Sequence, residues 1–234
     1  MIKFNGIDLQ DLVPVKIDDI KVSPIALSPV SRQRIGFGQD LVRMDGANRT
    51  VSITFALLEQ DREERFKMLQ QIVDWANPYK QCVLSLPMYE GKRHLECVCT
   101  GYPEPSYRQW WESKLRLTFT TYDNPYWTSD EEIRASCNVP FSIGGTAPPL
   151  IRIERSTNTS GPVANQTYYS NRRSMTFSRI PSGKLVIDLN RQTAEVGGTS
   201  IMQYFTKTSK FILPVTGNIT ITGTGTIIYR ERWV

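Results

Sequence analysis

Alternation with a period of two is what most constrains the fold of this chain. In VSITFAL (51–57), Val51, Ile53, Phe55 and Leu57 share one side, and in LRLTFTT (115–121) Leu115, Leu117 and Phe119 do the same. LECVC (95–99), KLVID (184–188) and NITITGTGTIIYRER (218–232) keep the same period. Successive side chains of a strand point to opposite faces, so the pattern marks strands with one face on a core and one on solvent. The β-branched content of the last stretch reinforces the reading. Gly223 and Gly225 fall inside that stretch, where they mark a bulge or the close approach of another backbone.

One segment breaks the pattern. In DREERFKMLQQIVDWANP (61–78), Phe66, Leu69, Val73 and Ala76 recur at helical spacing, and Ile72 widens the stripe. Asp61 with Glu64 three residues on resembles a capping box. Glu63 and Glu64 sit in the first turn, where the helix dipole favours anions. Pro78 stops the helix, and Asn77 before it is biased toward extended geometry. The spacing predicts a helix over 61–77, amphipathic and suited to covering one face of a sheet or an open barrel end.

The region around 122–150 reads as a boundary. YDNPYWTSDEEIRASCN turns polar, and SIGGTAPP (142–149) is rich in Gly and Pro without periodicity. Beyond Leu150 there are strands and turns only. Residues 156–174 are polar and read as a long loop or an edge hairpin. A length of 234 residues favours two domains of ordinary size. The expected division is an α+β domain over 1–128, a linker over 129–149, and an all-β sandwich over 150–234. The fold class is mainly β.

Charge follows the same division. Residues 1–128 carry 16 basic and 16 acidic side chains, residues 129–234 carry 12 and 7, and the net charge is +5. Arg172-Arg173 and Arg230-Glu231-Arg232 contribute to the second-half excess. A mild excess of this kind is a solvated surface, and nucleic-acid or membrane binding would show a denser cluster. No segment approaches the roughly 18 apolar residues of a membrane span. The N-terminus, MIKFNGIDLQDL, has acidic and amide residues where a signal peptide has its apolar core. Folding in the cytoplasm of the producing cell is expected.

Catalytic chemistry needs convergent polar groups, and the sequence supplies few. The one histidine, His94 in GKRHLECV, reads as a surface or strand-end residue. No nucleophile elbow, H-E-x-x-H or P-loop is present, and GFG (36–38) is a turn or loop tip. Asp18-Asp19 and Glu131-Glu132 are adjacent pairs, which on a strand point to opposite faces, and both read as solvated turns. Cys82, Cys97, Cys99 and Cys137 are too few for a disulfide scaffold. Cys97 and Cys99 share a face with Leu95 and read as small core residues; a metal site with Cys82 and His94 would lack the paired C-x-x-C spacing. Trp75, Trp110, Trp111, Trp127 and Trp233 read as core or interface packing rather than sugar-stacking platforms. The expectation is no enzyme, no cofactor and no metal.

A strand-rich chain has another use for its edges. Identical subunits commonly close into rings, which leaves no edge open. SPVSRQRIGFGQDLVRMDGANRT (28–50) reads as an extended hairpin or loop projecting from the body. Its Arg32, Arg34, Phe37, Arg43 and Arg49 are the candidate subunit-interface or lumen residues, with a mobile surface loop as the equal alternative.

The order of these pieces resembles the distal tail (Dit) proteins of siphophages infecting Gram-positive hosts. The resemblance rests on MIKFNGIDLQDL, GANRTVSITFALLEQDREERFKMLQQIVDWAN, GYPEPSYRQWWESKLRLTFTTYDNPYW, SGKLVIDLNRQTAEVGG and FILPVTGNITITGTGTIIYRERW in that order. It implies a partly open N-terminal β-barrel with one helix, assembled as a hexameric ring that is single or stacked, and a C-terminal galectin-like β-sandwich. It implies a structural role at the virion tail tip. There the ring joins the tail-tube protein to the tail-associated lysin or the fibre or receptor-binding protein, and DNA passes through the lumen without sequence-specific binding. The competing reading is a carbohydrate-binding module for host recognition, with Tyr168-Tyr169 and Arg172-Arg173 as its patch. Galectins use His and Trp, whereas residues 129–234 hold no His and only Trp233, so a likeness of shape without a sugar site is expected.

Overall fold

The structure, a computed structural model, describes residues 1–25, 27–33, 39–46, 48–59, 61–77, 80–103, 114–122, 124–156 and 162–234, with the backbone alone for 27–33 and 39–46. The chain divides into two compact units, Met1–Trp127 with Val234, and Thr128–Trp233.

The first unit opens with β1 (Lys3–Phe4), β2 (Ile7–Asp8) and a single helical turn, α1 (Leu9–Leu12). Asp8 caps that turn by accepting from the Gln10 N–H at 3.0 Å. There follow β3 (Val15–Val22), β4 (Leu27–Gln33), β5 (Gln39–Gly46), β6 (Thr50–Leu57), the helix α2 (Arg62–Ala76), β7 (Cys82–Ser85), β8 (Arg93–Gly101) and β9 (Leu115–Thr120), while β10 (Trp127–Ser129) falls across the boundary between the two units. The antiparallel order β3-β6-β9-β8-β7-β1-β2 accommodates a bent β8, whose His94–Cys97 half pairs with β7 and whose Val98–Gly101 half pairs with β9. The order is open. Its ends, β3 and β2, do not pair with each other among the described strands.

The alternating residues meet in one core. Val51, Ile53, Phe55 and Leu57 of β6, Leu95, Cys97 and Cys99 of β8, and Leu117 and Phe119 of β9 are all buried. Phe4, Trp75 and Phe119 form an aromatic triangle with centroid separations of 5.8, 5.0 and 6.3 Å, which fixes α2 against β1 and β9. The Trp75 indole N–H donates to the Ile7 carbonyl, joining the helix to the opening turn.

Asp61 caps α2 as its spacing predicts, accepting from the Glu64 N–H at 3.0 Å. The stripe is rotated from the expected one, however. Ile72, Trp75 and Ala76 are the buried residues, while Phe66 is 39 % exposed. The C-terminal half of the helix carries the packing, where Trp75 meets Phe4 of β1 and Phe119 of β9. Pro78, expected to end the helix, lies outside the described residues.

β4 and β5 pair with each other from Leu27↔Gly46 to Gln33↔Gln39. They follow the β3/β6 ribbon, which closes where the Ser23 N–H donates to the Thr50 carbonyl and the Thr50 N–H to Ser23 Oγ. The segment is thus a hairpin rooted between the edge strand β3 and its neighbour β6.

The second unit holds β11 (Ile133–Ser136), β12 (Phe141–Ile143), β13 (Ala147–Ser156), β14 (Val163–Ser170), β15 (Arg173–Ile180), β16 (Lys184–Asp188), β17 (Thr193–Val196), β18 (Thr199–Ser200), β19 (Gly217–Ile219) and β20 (Thr226–Trp233). The stretch 129–149 therefore contains β11, β12 and the start of β13. One sheet runs β11-β20-β13-β16-β17-β18. The β12/β19 pair and the β14/β15 hairpin are tied in by the Tyr169↔Thr222 and Phe177↔Phe205 bridges. Ile151, Ile153, Leu185, Ile187, Ile227 and Tyr229 face Tyr168, Met175, Phe177 and Ile180 in a single apolar core, the packing of a β-sandwich. Of the two readings of 156–174, the hairpin describes residues 163–174.

Residues 218–232 do not form the single strand that their alternation suggests. β19 and β20 are separate, and the chain turns between them at Gly223 (φ +148°) and Gly225 (φ +128°). A side chain at Gly223 would overlap the Tyr168 ring, and a Cβ at Gly225 would stand 2.6 Å from the Glu154 carbonyl oxygen. The close approach of another backbone, one of the two expected readings, holds at Gly225, whereas at Gly223 the close neighbour is a side chain, the Tyr168 ring.

Candidate functional site

Groups able to do chemistry are dispersed. His94 opens β8 opposite Ser85, as expected of a strand-end residue, but at 7 % exposure it is not a surface one. Asp18 and Asp19 are exposed on β3 rather than in a turn, and a register irregularity separates Ile17 from Asp19. Cys82, Cys97, Cys99 and Cys137 are buried free thiols. Cys82 and Cys97 are cross-strand neighbours, and burial pushes the Cys97, Cys99 and Cys137 thiols upward, away from the nucleophilic thiolate. Among the described residues no three His, Cys, Asp or Glu side chains come together as a metal-holding group. No helix among them is long and apolar enough to cross a membrane.

Glu132 departs from the solvated-turn reading. Its carboxylate accepts from Arg152 at 2.9 Å, with Arg134 at 3.7 Å and Arg230 at 4.0 Å. Arg152 Nε lies 3.0 Å from Glu154 Oε1 as an ion pair without hydrogen-bond alignment, and Lys184 Nζ reaches Glu154 Oε2 at 2.9 Å. Cross-strand register assembles this ladder: Glu154 stands beside Val186, and Arg152 beside Ile228. The Lys184 hydrogen bond and the charges of Lys184 and Arg152 hold the Glu154 carboxyl below its ordinary value. A depressed folded value means that the stabilisation is complete above the ordinary glutamate pKa of 4.5 and is lost as pH falls through the lower folded one. Glu154→Gln is therefore expected to cost about 1 kcal/mol in urea denaturation near neutral pH, and progressively less as the pH falls below 4.5. A difference that persists in acid would contradict the pairing.

The tyrosine and arginine patch of the carbohydrate reading does not assemble. Tyr168 is buried and donates its hydroxyl to the Thr224 carbonyl, while Tyr169 is 49 % exposed. Arg172 is exposed at the β14/β15 turn, with φ +61°, and Arg173 donates to the Phe211 carbonyl.

The proposed interface residues belong to the projecting hairpin. Arg34 and Phe37 lie outside the described residues, as does GFG (36–38). Arg32 is on β4 and Arg43 on β5, with side chains outside the described set. Trp110 and Trp111 are outside it as well.

Arg49 is described fully. Its N–H donates to Thr121 Oγ1 at 2.8 Å, and its carbonyl accepts from the Thr121 N–H at 3.0 Å. These bonds fix it at the hairpin's root, beside β9. The side chain is 3 % exposed, and its Nε and Nη1 have no hydrogen-bond partner among the described residues. Burial lowers its pKa, an effect that the nearby Tyr89 and Tyr126 partly oppose. Tyr89 also packs on Trp127 at 4.4 Å and lies under Arg93 at 5.4 Å. Sequence alone marked Arg49 as one arginine of a polar arm. The nearby phenols come from Tyr89 and Tyr126, which no local pattern links to it.

No protein-family model matches the chain, and neither does any curated protein. Solved structures do. The SPP1 Dit (gp 19.1) protein, a paradigm of the hub adsorption apparatus in phages infecting Gram-positive bacteria, overlaps 100 % of this chain and 98 % of its own, with TM-score 0.72 and 13 % identity. The overlap is looser with the phage p2 baseplate in its activated conformation, with Sr (TM-score 0.45, 8 % identity, 93 % and 90 % covered) or with Ca (TM-score 0.43, 8 % identity, 94 % and 90 % covered). The mainly β fold of this chain is Dit-like over its whole length.

Proposed function

We propose that this chain is a structural, non-enzymatic subunit of a phage tail tip, assembled from copies of itself as a hexameric ring. The ring joins the tail tube to the adsorption apparatus, with the tail-tube protein on one side, the lysin or fibre-bearing protein on the other, and DNA passing through the lumen. The second unit is a galectin-like sandwich that serves as scaffold. Assembly takes place in the host cytoplasm, and the finished ring resides at the virion tail tip.

The full-length match to the SPP1 Dit fold is the observation that carries this reading. Supporting it are an open sheet order and a hairpin that extends the β3/β6 ribbon, since exposed strand edges are what assembly covers. The dispersal of the catalytic residue types favours a scaffold over an enzyme, and the separation of Tyr168 from Tyr169 removes the basis for a sugar patch.

Immunogold labelling of virions is the test of location. Label confined to the tail tip is expected, and label on the capsid or along the tube would contradict the proposal. Saturable binding of cell-wall polysaccharide by the isolated chain would instead favour the carbohydrate reading.

A further inference from the structure

We infer that the outer face of β11, β20 and β13 in the second unit is a docking surface for an acidic face of a different tail-tip protein. This rests on the tail-tip reading above and supplies the chemistry of one partner. Residues that alternate with the core of a sheet stand on its other side. Ile151, Ile153, Ile227 and Tyr229 pack inward, with Ile133 and Ala135 against them, so Arg134, Arg152, Glu154 and Arg230 face out. Arg134 and Arg152 flank Ile228 in one row, and Arg230 lies two residues further along β20.

On this face the cations stand above the anions. The side chains of Arg134, Lys184, Arg152 and Arg230 are 70, 60, 43 and 37 % exposed, against 24 % for Glu132 and 21 % for Glu154. Glu132 hydrogen-bonds Arg152, while Arg134 and Arg230, at 3.7 and 4.0 Å, stand beyond hydrogen-bond reach of it. Neither of those two guanidinium groups makes a hydrogen bond among the described residues. Glu132 thus draws the two arginines to one place and leaves their donor forks open to solvent. Arginines gathered in this way lose less freedom on binding, and each fork matches a carboxylate with two parallel N–H bonds.

A different chain is favoured as the partner, because a second copy carries the same excess: residues 129–234 hold 12 basic and 7 acidic side chains. A folded protein is favoured over a continuous polyanion. Glu132 and Glu154 lie within the face, and the exposed Glu195, opposite Val186 on β17, borders it. A phosphate chain charged at every step would run against these carboxylates, whereas a folded partner can set its acids opposite Arg134 and Arg230 alone.

The test uses a fluorescent peptide of alternating Glu and Ser, which in extended form presents its carboxylates on one side, and a labelled DNA duplex beside it. Binding at low salt is followed by anisotropy for the wild-type chain, for Arg134→Gln with Arg230→Gln, and for Lys207→Gln with Lys210→Gln. The last pair removes the same charge from exposed positions elsewhere in the second unit. Expected is peptide binding that weakens with salt and falls at least about fivefold in the arginine variant, the combined effect of two exposed ion pairs, with less than about a twofold change in the lysine variant. Equal losses in the two variants would overturn the inference by reducing it to net charge. So would an unchanged arginine variant, or a wild-type chain that does not bind the peptide. Tighter binding of the duplex, lost in the arginine variant, would overturn it in favour of a phosphate site. Each of these results leaves the tail-tip reading standing, since label on the virion decides that reading separately.

Discussion

Phe119→Ala should destabilise the first unit by about 3–5 kcal/mol, the range for emptying an aromatic site in a core. Phe119 is fully buried on β9, between Val51 of β6 and Cys99 of β8. Its ring closes the triangle with Phe4 and Trp75. Truncation leaves a hole that a sheet fixed on both sides cannot fill, and it removes the surface on which α2 rests. Domains of this size are stable by only about 5–15 kcal/mol, so the loss is a large fraction of the total. Urea denaturation followed by tryptophan fluorescence should show an earlier transition for the first unit, which contains Trp75 and Trp127. A loss under about 1 kcal/mol would mean that the triangle is not the core that the packing describes.

The second large effect belongs to a residue with no side chain. Gly225→Ala should destabilise the second unit by about 2–6 kcal/mol, from backbone strain of about 1–3 and forced overlap of similar size. At φ +128° an L-residue is strained in any surroundings, and here the new Cβ would stand 2.6 Å from the Glu154 carbonyl oxygen. That oxygen belongs to β13, which is paired on both edges with β16 and β20, so it cannot move aside. Gly197→Ala is the control, because its Cβ would meet no atom within 4 Å. It retains only the strain of φ +57° and should cost clearly less. Equal losses at the two positions would show that close approach contributes nothing at Gly225.

These cases show what can be read from a linear sequence and what cannot. Alternation gave the buried sets of β6, β8 and β9, apart from the half-buried Leu115, because a strand with one buried face must write its core every second residue. The start of α2 was legible because its capping is local: Asp61 and the Glu64 N–H are three residues apart. The face that α2 buries was less so, since Phe66 and Ile72 are equally apolar and the difference lies in which half of the helix meets β1 and β9. Gly223 and Gly225 fit an alternating pattern, and only the approach of Tyr168 and β13 explains why the chain turns there. The ion ladder around Glu132 and Glu154 depends on register across several strands, information that adjacency in sequence does not hold. The same is true of Arg49, recognisable in the sequence as part of an arginine-bearing arm, whose enclosure depends on residues far along the chain.

Absolute mass in solution, measured by light scattering over a concentration series, tests the ring most directly. A mass of six chains, or of a stacked pair of such rings, is the result expected. A chain that remains a single copy up to high concentration would contradict the account.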